Sequence, residues 1–581
     1  MDQTAKLYKI VSIFLLFVFG IVIFLAVLFK IVVEERKLPR LVIEEKNRAI
    51  RGSIVSSDGY QVTYSNKLYK VAVNTRCIDP NKKELFVKLF SIFSGIEPRK
   101  IRKKLRKSGY VVLSYNIDTK TAYQLKSLAR KLYRMDMFVP YKVGNRVIKQ
   151  GLTILESGES RVFPYRDTLT PILGYVRKHE ENRYTRIEGV KGIEKYYESW
   201  IRPRQDGIIR GKRDIGNNII FNKDTFVKKR IDGYNVYLNV DMLLQKNLEK
   251  ILDTHKKDLE AKEIIAAVME SGSGKILAIA SSNRFYPKHI RKKDYNSLNA
   301  KVIEYEFEPG SVMKPITFAL LLQNKHISLY DIVFGYNGRY RLGRKIITDE
   351  HKMGWMGVED VIVYSSNIGI AQLAQKLSQT EFYNGLKKFG FSQKTGIDLP
   401  YEHSGYLIPV YKFRSEIYKA TVGYGYGIKA TFMQLLNAYN VFNNDGIRIT
   451  PRIASFLTTP SGKRVALKPP KRVRVIDEKT AAMVRNVLRK VVEKGTGTVA
   501  KVEGLFIGGK TGTAHRVKHG RYVRLYNSSF FGFADDRTHR YTIGVTVIEP
   551  HTRHFASQTA APVFRDIVLE MVNEGYLTPK Q

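Results

Sequence analysis

Ser311 and Lys314, within Glu308-Pro-Gly-Ser-Val-Met-Lys-Pro-Ile-Thr317, are a nucleophile and a base at a spacing that lets them meet. A serine hydroxyl attacks poorly on its own, because its proton must leave as the oxygen adds. A lysine three positions later lies on the same side of a helical turn, close enough to take that proton. It can do so only when neutral, and an ordinary lysine titrates near 10.4. Lowering that by about 3 pH units means biasing the group against its cation by roughly 4 kcal/mol. Desolvation and a neighbouring positive charge are the available causes.

The flanking residues say what must hold this pair. Pro309-Gly310 breaks the preceding segment, and residues 316–322 are almost entirely apolar, which predicts a buried helix with the serine at its start. Pro315 suits the first turn of such a helix, where backbone N–H groups have no internal partner to lose. Two later segments carry complementary polar groups. Ser365-Ser-Asn367 follows the apolar, β-branched Val361-Ile-Val-Tyr and precedes the helix-like Ile368-Gly-Ile-Ala-Gln-Leu-Ala. Ser and Asn at that position also suit a simple helix cap. Lys510-Thr-Gly-Thr-Ala514 follows a strand-like stretch, 505–509, so that Thr511 and Thr513 face the same side. A second Lys-Thr-Gly, at 394–396, runs into the turn-bound Ile397-Asp-Leu-Pro400. The glycines before Lys510 suit an edge strand approached by a substrate backbone, so the later copy is assigned to the site. His515 and His519 lie nearby without an acidic partner to orient them, and are read as solvated surface.

Ser-x-x-Lys, Ser-x-Asn and Lys-Thr-Gly in this order resemble the signature shared by penicillin-binding proteins and class A β-lactamases. From about 236 to 564 the chain looks like the transpeptidase domain of class B penicillin-binding proteins. Val240-Asp-Met-Leu-Leu-Gln245, Gly274-Lys-Ile-Leu-Ala-Ile279, Gly423-Tyr-Gly-Tyr-Gly427, Gly495-Thr-Gly497 and Ala560-Ala-Pro-Val-Phe564 carry the likeness. Upstream, Arg51-Gly-Ser-Ile-Val55 with Asp58-Gly59, and Gly192-Ile-Glu-Lys-Tyr-Tyr197, look like landmarks of that family's non-catalytic pedestal. One departure is Gly532-Phe-Ala-Asp-Asp536, with aspartate where the family usually shows proline, which puts the local loop in question.

The resemblance implies an α+β fold: an antiparallel sheet flanked by helices, with the nucleophile helix packed between, preceded by an elongated pedestal and one N-terminal transmembrane helix. It implies a serine D-Ala-D-Ala transpeptidase without metal or cofactor, with some carboxypeptidase-like side activity. Ser311 forms the acyl-enzyme, Lys314 is the base and Ser365 relays a proton. Asn367 holds Lys314 and the substrate backbone. Lys510 completes the catalytic set; Thr511, Gly512 and Thr513 bind the substrate, the threonine hydroxyls meeting its carboxylate near Lys510, and the N–H groups of Ser311 and Thr513 form the oxyanion hole. The implied partners are stem peptides ending in D-Ala-D-Ala, β-lactam antibiotics and a separate membrane glycosyltransferase. Overall length and the compact C-terminus incline the reading to the division-specific, septal enzyme. Side-wall synthesis, a D,D-carboxypeptidase, a β-lactamase, and a non-catalytic β-lactam sensor or scaffold remain the alternatives.

Composition and the N-terminus set the frame. At 581 residues the chain is too long for one core. Residues 10–29 are uncharged and mostly Ile, Leu, Val and Phe, the length that crosses a bilayer, and no small-x-small cleavage pattern follows. The expected layout is a cytoplasmic tail over 1–9, a transmembrane anchor over 10–29, a pedestal over 30–227 and a transpeptidase domain over 228–581. Lys6 and Lys9 precede the span, whereas Lys30, Arg36, Lys37, Arg40, Lys46 and Arg48 follow it. That balance opposes an external bulk, yet long domains translocate largely regardless of such charges. A wall crosslinker meets its substrate outside the bacterial cytoplasmic membrane, so the amino terminus is placed inside.

Lys and Arg number 98 against 54 Asp and Glu, a net charge of +44. No nucleic-acid-binding module accompanies that excess, so nucleic acid is excluded as a partner. Attraction to anionic lipid or wall polymers, and lysine scattered over solvated faces, both fit it. The basic 98–107 stretch reads as a solvated amphipathic helix with Ile101 and Leu105 inward, and 68–74 reads as a strand. Cys77 is the single cysteine, which rules out an intramolecular disulfide and is expected to be buried.

Overall fold

The computed structural model describes residues 3–33, 41–143, 146–181, 184–214, 219–518 and 521–580. His519, Arg36, Lys37 and Arg40 fall outside the described residues. The chain divides into two units, 1–48 with 206–230, and 49–205 with 231–581.

In the first unit, helix α1 (Gln3–Val33) contains the apolar stretch and extends beyond it at both ends. Gln3, Thr4 and Ala5 through Lys9, and Lys30 to Val33, carry no helix breaker, so the backbone stays helical past the apolar run. At about 1.5 Å per residue, α1 is long and apolar enough to cross a membrane. The same unit holds a three-stranded antiparallel sheet in which Gly207–Lys212 lies between Val42–Asn47 and Phe226–Lys228. An Arg210–Glu44 ion pair at 2.7 Å ties two of its strands.

The second unit begins with a pedestal built on a long strand, Gln61–Asn74, which pairs antiparallel with Tyr110–Ile117 and Thr153–Val162. Helices Lys83–Ser94, Pro98–Leu105 and Thr119–Arg134 bury Phe86, Phe90, Ile101, Leu105, Leu125 and Leu132 in one cluster. Ile101 and Leu105, four apart, are the two apolar residues of their helix and both are buried; the basic residues between them point out. Cys77 is fully buried. Arg51 and Arg161 converge on Glu194 at 2.8 and 2.7 Å, all three out of water. Arg51 also reaches Glu198 at 2.7 Å, and its backbone N–H donates to Glu159 at 3.0 Å. Two sequence landmarks far apart along the chain are therefore halves of one buried ion cluster.

The C-terminal part of this unit is built on a five-stranded antiparallel sheet. Its strands are β1 (Glu263–Glu270), β2 (Ile276–Ser281), β3 (Phe506–Lys518), β4 (Arg521–Asp535) and β5 (Arg540–Ile548), in spatial order β2-β1-β5-β4-β3. Successive residues of β1 enter opposite cores. Ile265, Ala267 and Met269 face the larger cluster, while Ile264, Ala266 and Val268 face the smaller. Burial on both faces explains the unbroken apolar runs in these strands. Helices Met242–Asp258 and Ala560–Asn573 cover one face. On the other lie α2 (Lys314–Gln323), α3 (Asn367–Leu373), α4 (Phe432–Asn443) and α5 (Glu478–Lys494). Every residue of α2 from Lys314 to Leu322 is buried. The β-branched Val361-Ile-Val is helical, within Val358–Val363, because burial in the same core outweighs strand propensity.

Candidate active site

Ser311 sits on a tight connection. Gly310–Met313 forms a 3₁₀ turn that runs straight into α2, with Pro315 in the first helical turn. Gly310 has φ +62°, and its N–H donates to Gly425 O at 3.0 Å. A Cβ on Gly425, itself at φ +90°, would lie 2.0 Å from Gly310 O, so no side chain fits there. Glu308 Oε1 accepts from Gly427 N at 2.8 Å and from the Tyr522 hydroxyl at 3.3 Å. Tyr439 donates its hydroxyl to Val312 O at 2.8 Å from the core side. The turn is thus pinned from three directions, leaving Ser311 half-buried at its apex.

Lys314 opens α2 with its side chain fully out of water. Its Nζ donates to Ser365 Oγ at 3.1 Å and also to the Ser365 carbonyl. Burial pulls its pKa down to about 7, against the opposing pull of the Asp349 and Glu350 carboxylates. Ser365 reaches it from a left-handed backbone, φ +62°. The next residues are held by Asp349: Oδ2 accepts from Ser366 Oγ at 2.5 Å, and Oδ1 from the N–H groups of Asn367 at 2.5 Å and Ile368 at 3.1 Å. Ser366 Oγ in turn accepts from Gly369 N at 2.8 Å and caps α3. The cap is therefore Ser366, which leaves the Ser365 hydroxyl for Lys314. Asn367 Nδ2 donates to Thr348 O at 2.9 Å.

The third wall is β3, hydrogen-bonded to β4 along one side and bearing on the nucleophile turn with the other. A Cβ on Gly512 would stand 2.8 Å from Val312 Cγ1 and 3.2 Å from Pro309 O, so glycine here is what lets strand and turn touch. Lys510 is fully buried, with Nζ 3.2 Å from Thr511 O, 3.3 Å from Thr511 Oγ1 and 3.4 Å from Thr496 Oγ1. Burial drives its pKa well down, and the Lys314 charge adds to that, opposed by Glu350. The positive charges of Lys314 and Lys510 disfavour one another in this buried site. Thr511 Oγ1 meets Thr496 Oγ1 at 2.8 Å, and Thr513 Oγ1 accepts from Ala556 N at 3.0 Å.

The structure thus brings Ser311, Lys314, Ser365, Lys510, Thr511, Gly512 and Thr513 to one place, with Asn367 on its rim. It keeps the other Lys-Thr-Gly away. Thr395 and Gly396 donate their N–H groups to Glu402 at 2.7 and 3.0 Å in a turn. The adjoining Asp398 is buried, holding the Tyr197 hydroxyl at 2.7 Å and two backbone N–H groups of 453–454. His515 is exposed, packed on Tyr526. In the departing segment Asp535 is buried beside Arg485 and Asn443, and burial pushes it up to about 6. Asp536 accepts the N–H groups of Thr538 and His539.

Sequence reasoning assigned no role to Asp349, Glu350, Thr496, Glu308 or Gly425. Glycines flanking Thr496 and the Gly423-Tyr-Gly-Tyr-Gly427 spacing are legible signs of close backbone approach. Asp349 stands in an irregular loop with no local pattern to mark it.

Residues 264–569 match the family described as "Penicillin binding protein transpeptidase domain", and residues 46–238 match "Penicillin-binding Protein dimerisation domain". The chain is 28% identical over 504 residues to Stage V sporulation protein D of Bacillus subtilis, covering 84% of this chain and 76% of that protein. It is 27% identical over 395 residues to Peptidoglycan D,D-transpeptidase FtsI of Buchnera aphidicola, covering 68% and 67%. Among solved structures it shares its fold with penicillin-binding protein 3 of Mycobacterium tuberculosis complexed with aztreonam. There the TM-score is 0.66 at 22% identity, over 92% of this chain and 98% of that one.

Proposed function

This chain belongs to the class B penicillin-binding proteins, joining their transpeptidase and dimerisation domains, and on that premise we propose how its residues carry out peptidoglycan D,D-transpeptidation. The observation that carries the reading is the convergence of Ser311 with a buried lysine whose pKa lies at about 7 and with the Lys510 strand.

Lys314, neutral at working pH, takes the proton as Ser311 Oγ attacks the carbonyl between the two terminal D-alanines. The N–H groups of Ser311 and Thr513 receive the developing oxyanion, a contribution of roughly 3 kcal/mol per donor. Ser365 passes the proton from Lys314 to the departing D-alanine amine. Thr511, Thr513 and Lys510 receive the substrate's terminal carboxylate. That carboxylate, lying beside Lys510, favours the cationic form of that lysine. An amine from a neighbouring stem then takes the acyl group from Ser311. A β-lactam, shaped like the D-Ala-D-Ala unit, is expected to leave the same ester standing.

The setting is proposed as septal wall synthesis beside a separate membrane glycosyltransferase. Helix α1 is the anchor, its first residues cytoplasmic and the rest of the chain outside; side-wall synthesis is the alternative. Ser311→Ala should abolish covalent labelling by a fluorescent penicillin, and labelling at normal stoichiometry would remove Ser311 from its role. Supplying donor stem alone separates a carboxypeptidase, which releases D-alanine freely, from a transpeptidase, which needs the acceptor amine. Septal rings of a fluorescent fusion support the division role, and dispersed foci the side-wall one.

A further inference from the structure

Strand Ile332–Phe334 pairs antiparallel with Trp355–Gly357, Phe334 opposite Trp355 and Val333 opposite Met356. The inner side of this ribbon is ordinary core, with Val333 and Met356 buried. Its outer side, where a two-faced ribbon normally carries polar groups, instead shows Ile332 63% and Trp355 69% exposed. Phe334 lies 5.0 Å from Trp355 and 5.0 Å from Tyr336, and Tyr336 lies 4.7 Å from Tyr340, ring centre to ring centre. Four rings thus form a continuous aromatic strip, and Asn337, Arg339, Arg341 and Lys352 are exposed along it.

The strip is continuous with the active site. Tyr340 pairs with Ile347 and Arg339 with Thr348, the residue whose carbonyl accepts from Asn367. Phe334 O accepts from Gln372 on the same helix as Asn367. We propose that this aromatic strip binds the amino-sugar backbone of the glycan strand whose stem peptide enters the active site, an inference that rests on the transpeptidase reading above. A peptide of about five residues spans at most ~17 Å, so the strand bearing the stem must run close beside the site. A pyranose ring offers apolar C–H faces and hydroxyl or acetamido edges. Flat aromatic rings with hydrogen-bond donors at their margin are the complementary surface.

The chain has two tryptophans, Trp200 and Trp355, so Trp200→Phe leaves Trp355 as the sole indole reporter. Titrating the detergent-solubilised full chain carrying that substitution with peptide-free glycan oligosaccharides should give a saturable change in Trp355 emission. Trp355→Ala should lower crosslinking of glycan-linked substrate about ten-fold. It should leave acylation by a soluble penicillin and D-alanine release from a short free peptide unchanged, and Trp355→Tyr should restore most of the loss. A flat titration with undiminished crosslinking of glycan-linked substrate overturns the proposal. So does a Trp355→Ala variant equally impaired toward soluble penicillin, which makes the strip structural. A defect seen only when another membrane protein is added, without a response to glycan, assigns the strip to a protein contact and also overturns it. Failure of the unsubstituted chain to acylate would count against the transpeptidase reading instead, because the emission titration needs no acylation.

Discussion

Lys314 Nζ lies 3.1 Å from Ser365 Oγ, and Ser365 offers that hydroxyl from a left-handed backbone with φ +62°. The same residue's carbonyl is a second acceptor for the lysine. One residue in a conformation that L side chains rarely adopt therefore places both groups around the base, the kind of strain that persists where the surroundings over-determine it.

Ser365→Gly and Ser365→Ala both delete the hydroxyl, but only glycine is free of the left-handed penalty. Both should slow acylation to the same extent. In urea denaturation the glycine variant should be the more stable of the two by about 1 kcal/mol. Equal stability would show that the backbone there is unstrained.

The rate of acylation by a soluble β-lactam should rise with pH through about 7 and then level off, because the base acts only when neutral and burial sets its pKa at about 7. A rate still climbing toward pH 10 would contradict this. Stability follows the same group. Between about 7 and 10.5 the unfolded chain holds a proton that folded Lys314 has lost, so stability rises with pH across that window. Lys314→Met should reduce this rise, leaving the share that buried Lys510 contributes, and stabilise the fold by roughly 1–3 kcal/mol while abolishing acylation.

Asp349 opposes the depression of Lys314 and accepts the first N–H groups of α3. Removing its charge in Asp349→Asn lets the lysine fall further, so the acid limb of the acylation profile should move to lower pH. Asp349→Ala, which also strips the acceptors from Ser366, should lower the plateau ~10–100-fold through misplacement of Ser365. An unmoved limb in the asparagine variant would separate Asp349 from the base.

Gly512→Ala puts a methyl group 2.8 Å from Val312 Cγ1, with Pro309 O and Val312 N close behind. The edge strand must back away from the nucleophile turn, and acylation should fall at least ~10-fold with the fold intact. Adding Val312→Ala removes the nearest obstacle and should recover part of the rate, the backbone contacts keeping recovery incomplete.

In the pedestal, Glu194 neutralises Arg51 and Arg161 out of water. Glu194→Gln leaves two buried cations short of a counter-charge and should cost about 3–5 kcal/mol of stability by denaturation. Acylation per folded molecule should not change, since the cluster touches no catalytic group. A catalytic defect in the folded fraction would refute that separation.

Much of this was legible in residue order alone. The apolar run after Lys314 became the buried α2, the Gly-preceded Lys510 segment became the edge strand β3, and Ile101 and Leu105 turned inward as their spacing requires. Residues 10–29 fall inside a single long helix. These succeed because periodicity, glycine and proline act locally, over a turn or a strand.

Types and spacings by themselves determined a serine with a lysine one turn away, two further polar motifs in order, and an apolar segment of bilayer length. The glycines before Lys510 already singled out its Lys-Thr-Gly, and only the tertiary structure brought that strand against the turn that carries the serine. It gave Ser366 to the cap and Ser365 to the base, and brought Asp349 from an unpatterned loop to hold Ser366 and the first N–H groups of α3. The pKa of Lys314 is the clearest case: a lysine's chemistry is the same in any chain, but the water taken from around it depends on what packs there. Here that is α2, α3 and β3, whose parts lie some two hundred residues apart along the polymer.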